Sequence, residues 1–159
     1  ADVDKVVGMK TILMVCTGNS CRSVMAEYLM RDKLKHRADI EILSAGTSVF
    51  LTAAASTGAA KVLRQRGIDS GLHRSQPITN MLLQQADLIL VMAQHHKESV
   101  LRLAPEVAKR THLLKEFLVD KVDPQLNYDI SDPMGQADIA YEECGKIIDR
   151  ALDKVIETL

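Results

Sequence analysis

Residues 15 to 23 read Val-Cys-Thr-Gly-Asn-Ser-Cys-Arg-Ser, a thiol and a guanidinium separated by five small or polar residues. The segment follows the apolar run Thr11-Ile12-Leu13-Met14-Val15, so a strand empties into a short polar loop. In a Cys-x5-Arg loop successive backbone N–H groups can point inward, as in the nests and helix N-termini that hold phosphates. Cys16 then stands at the centre of the ring. Thr17, Gly18, Asn19, Ser20, Cys21 and Ser23 line the cradle, and Arg22 offers a planar fork to two phosphoryl oxygens. The positive surroundings that draw a phosphate dianion also favour the thiolate form of a central cysteine. A small buried thiol at a strand end is the plainer alternative. Burial alone explains neither the Gly18-Asn19 pair, able to adopt left-handed backbone angles, nor the arginine.

Apolar runs alternating with amphipathic stretches predict the elements that position this loop. Strands fall near Thr11 to Val15, Ile40 to Leu43, Leu88 to Met92 and Thr111 to Leu114. A helix follows the loop with Met25, Ala26, Leu29, Met30 and Leu34 at helical spacing, and a second runs from Ser56 to Arg66 and stops at Gly67. Thr79 or Asn80 opens a short helix, and Gln94 to Leu103 forms another that ends before Pro105. The last helix, from about Asp138, places Ala140, Cys144, Ile147, Ala151, Val155 and Leu159 on one face. The pattern is α/β: a single-domain, open, doubly wound sheet of about four parallel strands with helices on both faces. Ligands bind such sheets at the carboxyl ends of the strands, where the Cys16 loop leaves the first strand. The irregular segment from Asn127 to Gly135, which carries Asp132, must reach the same edge.

Composition narrows the function classes. At 159 residues and 17.6 kDa, with 47% hydrophobic residues, the chain suits one domain with a sizeable core. A net charge of −1 with interspersed signs, and 3% aromatic residues, argue against nucleic-acid and membrane-surface partners. Three cysteines without paired spacing, no signal-peptide pattern and no long apolar run predict a cytoplasmic protein. The oligomeric state is not legible. Residues 1–8 read as an extension or expression remnant ahead of Met9, and residues 9–159 as the domain.

The stretch Val15 to Glu27, taken with Asp132-Pro133, resembles the low-molecular-weight protein tyrosine phosphatase family. The resemblance extends to Ser44-Ala45-Gly46, His73-Arg74-Ser75 and Ala86 to Met92; Val24 stands where that family commonly has proline. It implies phosphorylated protein substrates, a phosphocysteine on Cys16, Asp132 as general acid, and neither metal nor cofactor. Asp129, Asp123 and Asp120 are the competing carboxylates. Asn19 is expected to turn the loop in a left-handed conformation, with Ser44 and His73 supporting it from outside; a partly exposed loop position is the alternative for His73. His95, His96 and His112 read as surface residues rather than metal ligands, and Cys144 as core. Cys21 is placed to form a reversible disulfide with Cys16 on oxidation.

Two rival functions share the loop. Thioredoxin-coupled arsenate reductases need two further thiols after the third strand, and Val91 to Ser99 contains none. A silent phosphate-binding module needs neither Cys16 nor Asp132. Within the family, the small hydroxyl of Ser20 resembles the bacterial protein arginine phosphatase branch, where threonine is usual, rather than the bulky aliphatic residue of enzymes acting on phosphotyrosine. Phosphoarginine is therefore preferred as substrate, with phosphotyrosine as the alternative. Phe50 and Met134 are the candidate walls of the substrate slot.

Overall fold

The protein is described here by a computed structural model covering residues 8–159; residues 1–7, most of the expected extension, lie outside the described residues. Strand β1 (Lys10–Cys16) is buried from Thr11 onward, as expected of a central strand covered on both faces. It pairs in parallel with β2 (Ile40–Gly46) on one side and β3 (Leu88–Val91) on the other, and β3 pairs in parallel with β4 (Thr111–Leu113). The order β2-β1-β3-β4 makes the carboxyl end of β1 the point where the winding reverses.

The two-residue period of β1 sends Ile12, Met14 and Cys16 to one face and Leu13 and Val15 to the other. The first face is covered by α1 (Arg22–Lys33), α2 (Thr57–Gln65) and α5 (Asp138–Ile156), and the second by α3 (Asn80–Gln85) and α4 (Gln94–Leu103). The α1 stripe of Met25, Ala26, Leu29 and Met30 is buried as its spacing predicts, and Leu34 just beyond the helix with it. Ser56 and Thr79 cap α2 and α3 through side-chain oxygens that accept from Ala59 N and Leu82 N. Gly67, at φ 75°, takes the left-handed conformation expected after α2. Short 3-10 turns at Pro105–Arg110 and Leu114–Leu118 flank β4, which ends one residue earlier than its apolar run suggests.

The buried face of α5 is turned and widened relative to the expected stripe. Tyr141, Cys144, Gly145, Ile148, Ala151, Leu152 and Val155 are buried, whereas Ala140 and Ile147 are only half-buried and Leu159 lies beyond the helix end. The helix packs against α1, α2 and the 3-10 turn after β4 together, so two rows of side chains are covered rather than one.

Gly46 closes β2 opposite Cys16. A Cβ at this position would stand 2.4 Å from Thr17 O, 2.6 Å from Val49 Cγ2 and 3.0 Å from Asn19 N. Gly46→Ala should therefore push the loop outward at a cost of about 1–3 kcal/mol, the scale of overpacking. Thermal melts and phosphate titration should show a lowered Tm together with weaker phosphate binding; an unchanged Tm would show that the loop yields freely.

Candidate active site

The loop after β1 is turned by Asn19, which is fully buried with φ 54°, the left-handed angle expected of it and the single positive φ among described residues other than glycine. Gly18 does not share that conformation, and a Cβ there would meet only Ser20 Oγ at 3.6 Å, so the loop's own geometry does not explain this glycine. The Asn19 amide orientation follows from its partners. The Gln76 backbone N–H donates to Oδ1 at 3.0 Å, which leaves Nδ2 to donate to Ser23 Oγ and Ser44 Oγ, each at 2.9 Å. Ser23 thus accepts from Asn19 and keeps its own hydrogen for Cys16 Sγ, 2.9 Å away. The Cys16 sulfur thereby has a hydroxyl donor within hydrogen-bond distance.

The support continues outward. Ser44 Oγ donates to Glu27 Oε1 at 2.5 Å, and Arg31, one turn later on α1, pairs with the other Glu27 oxygen at 2.6 Å. His73 is buried, so the exposed alternative fails; its Nε2 donates to the Asn19 carbonyl at 2.7 Å while Nδ1 faces Glu27 Oε1 at 4.0 Å. Ser44 and His73 both hold the loop from outside. Glu27 joins them, and the sequence reading missed it. Its signal was a carboxylate set between buried α1 positions with Arg31 at i+4.

Arg22 is buried at the start of α1. Nη1 donates to Ile130 O at 2.9 Å, Nη2 reaches Thr17 Oγ1 at 3.4 Å and Asp132 Oδ2 at 3.6 Å, and Nε has no protein partner. That Nε–H is a buried donor left open beside the loop. The Asp132 side chain is 47% exposed and accepts from Met134 N through Oδ1, so it stands at the mouth with Oδ2 turned toward the guanidinium. Of the competing carboxylates, Asp129 accepts from Gln94 N at the start of α4 (2.8 Å), and Asp123 accepts from Gln125 N (2.9 Å). Asp120 is exposed. Asp132 alone of the four pairs with Arg22.

His96 departs most from expectation. It is not on the surface but fully buried, its Nε2 2.8 Å from Thr17 Oγ1. Burial, then the Arg22 and His95 charges, pushes its pKa down to about 3. The missed signal was helical spacing: His96 precedes buried Val100 by one turn of α4. Cys144 is core as expected, with burial pushing its thiol up to about 12. Cys21 is also buried and free; its thiol donates to Ser56 Oγ at 3.0 Å and faces Tyr141 OH at 3.8 Å, and burial outweighs these bonds to raise its pKa. Disulfide formation with Cys16 requires the thiol to leave those partners.

The rim comes from the segment between β2 and α2. Thr47 N and Ser48 N donate to Cys16 O and Thr17 O, and Ser56 N donates to Ser20 O. Both ends are thus tied to the loop, and Phe50, 92% exposed, stands free between them. Met134 is also exposed, so neither candidate wall is packed into place. The Ser20 hydroxyl lies beside the Cys21 thiol. Among the described residues no three His, Cys, Asp or Glu side chains are grouped to hold a metal ion, and no helix is long and apolar enough to cross a membrane.

Fold and site together define an α/β protein with a loop carrying Cys16 and Arg22 at its topological switch point. Residues 11–159 match the low molecular weight phosphotyrosine protein phosphatase family, and the chain belongs to it. It is 35% identical over 145 residues to a probable low molecular weight protein-tyrosine-phosphatase of Ralstonia nicotianae, covering 91% of this chain and 92% of the relative. It is 34% identical over 148 residues to a protein-arginine-phosphatase of Geobacillus stearothermophilus, covering 93% and 95%. Among solved structures, a low molecular weight protein tyrosine phosphatase from T. tengcongensis superposes with TM-score 0.85 at 37% identity, over 94% of this chain and 99% of that one. The arginine phosphatase from G. stearothermophilus gives TM-score 0.83 at 32% identity, over 94% and 92%.

The buried imidazole has a consequence for acid stability. Its folded pKa of about 3 lies below the ordinary value of 6.5, so as pH falls below 6.5 the unfolded chain takes up a proton that the folded chain refuses. The resulting stability is complete above pH 6.5 and is lost progressively toward pH 3. His96→Phe should therefore lose less Tm than wild type between pH 7 and pH 4.5. Parallel losses would show that the imidazole protonates freely in the fold.

Proposed function

We propose that this phosphatase-family protein hydrolyses phosphorylated protein side chains through Cys16, with phosphoarginine preferred over phosphotyrosine. The observation that carries the hydrolytic reading is the convergence of Asp132 on Arg22, 3.6 Å apart, at the mouth of a loop whose floor holds the Cys16 sulfur. The Cys16 thiolate attacks phosphorus while the bond to the leaving atom breaks. The leaving atom takes the Asp132 proton, and the sulfur carries the phosphoryl group as phosphocysteine. Water then attacks phosphorus and gives a proton to the Asp132 carboxylate; the S–P bond breaks and inorganic phosphate leaves. Arg22 and the inward backbone N–H groups of residues 17–22 stabilise the equatorial oxygens throughout. Proteins bearing the phosphorylated side chain are the partners this reading implies, and the protein works in the cytoplasm.

Cys16→Ser should abolish turnover while keeping phosphate binding, because the cradle is built from backbone groups and Arg22. Steady hydrolysis by the folded variant would sink the phosphocysteine step. Asp132→Ala should lower kcat by roughly 10²- to 10⁴-fold, the range for a lost general acid, and by less for esters with good leaving groups. A loss that is uniform across leaving groups would reassign Asp132 to a structural role.

The substrate preference rests on Ser20. A guanidinium is planar, cationic and rich in donors, so a small hydroxyl can accept from it, whereas an aliphatic branch desolvates those donors without pairing them. A phenyl ring gains from apolar contact. The relatives named as tyrosine phosphatases and the exposed Phe50 favour the phosphotyrosine reading; the relative named as an arginine phosphatase favours the other. Measured as kcat/KM on both phosphopeptides, Ser20→Ile should depress phosphoarginine hydrolysis and spare phosphotyrosine hydrolysis, while Ser20→Thr keeps or raises the former. A wild type that favours phosphotyrosine, with a ratio that Ser20→Ile leaves unmoved, hands the function to the phosphotyrosine reading.

A further inference from the structure

The reaction just described gives no task to His96, a buried polar side chain beside the loop. His96 comes from α4, beyond β3, and reaches the first residue after the nucleophile: its Nε2 is 2.8 Å from Thr17 Oγ1. The same oxygen lies 3.4 Å from Arg22 Nη2. Arginine only donates, so Thr17 Oγ1 must accept from it, and the hydroxyl's single hydrogen must point elsewhere. His96 Nε2 is the acceptor in reach. With the imidazole neutral and its hydrogen on Nδ1, Thr17 donates to Nε2 and turns its lone pairs to Arg22. A protonated His96 would instead donate to Thr17, setting a second cation against the one that phosphate needs; its facing charges are Arg22 and His95.

The environment argues that this bond is more than packing. His96 Nδ1 is buried without a protein partner, and the His95 ring stands over it with centroids 4.0 Å apart. An apolar side chain would fill the same volume without the cost of burying two ring nitrogens. We propose that His96 is a positioning residue that holds the Thr17 hydroxyl as an acceptor for Arg22 and so fixes the guanidinium in the plane that receives phosphate. The inference rests on the loop being a phosphate cradle and is indifferent to which phosphorylated side chain is hydrolysed. Arg22 is held on one side by Ile130 O, and the Thr17–His96 pair restrains the other.

The test titrates inorganic phosphate calorimetrically into wild type, Thr17→Val, His96→Phe, the double variant and His96→Gln at pH 7. Parallel assays give kcat and KM on a chromogenic phosphate monoester, and Tm is recorded for each protein. Removing one neutral hydrogen bond should weaken phosphate binding about three- to tenfold in His96→Phe and in Thr17→Val. Acting through one another, the two changes together should cost no more than the larger alone. His96→Gln, whose amide oxygen can accept from Thr17, should regain most of the affinity whatever its Tm. If His96→Phe fails to fold, His96→Met removes the acceptor with a more adaptable side chain. Wild-type phosphate affinity in the folded Phe or Met variant, or additive losses in the double variant, overturns the inference alone. A wild type that binds no phosphate overturns the cradle reading and the inference with it.

Discussion

The site depends on one residue held in an uncommon conformation. A non-glycine residue in the left-handed region costs roughly 1–2 kcal/mol, and asparagine is among the few that visit it. Asn19 occupies it with its side chain and its carbonyl both committed: Oδ1 to Gln76 N, Nδ2 to Ser23 and Ser44, and the backbone oxygen to His73. These bonds offset the strain and give the loop its direction. Because Nδ2 can only donate, it dictates which way the Ser23 and Ser44 hydroxyls point, and so where the sulfur of Cys16 finds a donor. A conformational constraint on the backbone thereby becomes an electrostatic constraint on the Cys16 sulfur.

The sheet supplies the second constraint. At the end of β1 the flanking crossovers part to opposite sides, leaving an edge that neither covers. The loop fills that edge, and three remote segments lean on it. The segment after β2 ties down its backbone oxygens, α4 contributes His96, and the segment before α5 brings Ile130 and Asp132 to Arg22. Arg22 is therefore more than a charge at the end of a motif. It joins the loop, built from residues close in sequence, to Asp132, more than a hundred residues away.

What was legible in the sequence was what short-range periodicity and spacing encode. The α1 stripe, the helix starts near Ser56 and Thr79, the Gly67 stop, the apolar runs of the strands and the left-handed tolerance of Asn19 each depend on the residue itself or on neighbours within a few residues. What was not legible depended on distant partners. Glu27 reads as a solvated acid until Ser44 and Arg31 are brought to it, and His96 reads as a surface residue until its place beside Thr17 is seen. Asp129 and Asp132 look alike as loop acids; the start of α4 claims the first and Arg22 meets the second. The α5 face was misplaced for a related reason, since a single stripe cannot anticipate a helix covered by three elements at once.

The division between a rigid floor and an unpacked rim bears on what can distinguish substrates. On the proposed reading the floor meets three phosphoryl oxygens, which phosphoarginine and phosphotyrosine share. On the same reading the acid does not discriminate either: a phenol and a guanidinium are both far weaker acids than a carboxyl, so both leaving groups gain from a proton as the bond breaks. Chemistry common to both substrates lies in the buried network, and the difference between them must be read where the leaving group meets protein. There the side chains are Ser20, whose backbone is fixed by Ser56, and Phe50 and Met134, which are 92% and 53% exposed. Preorganised contacts discriminate more strongly than mobile ones, because a mobile wall loses entropy on closing over any ligand. On the proposed reading, the short hydroxyl on the loop therefore weighs more in specificity than the larger apolar residues on the rim.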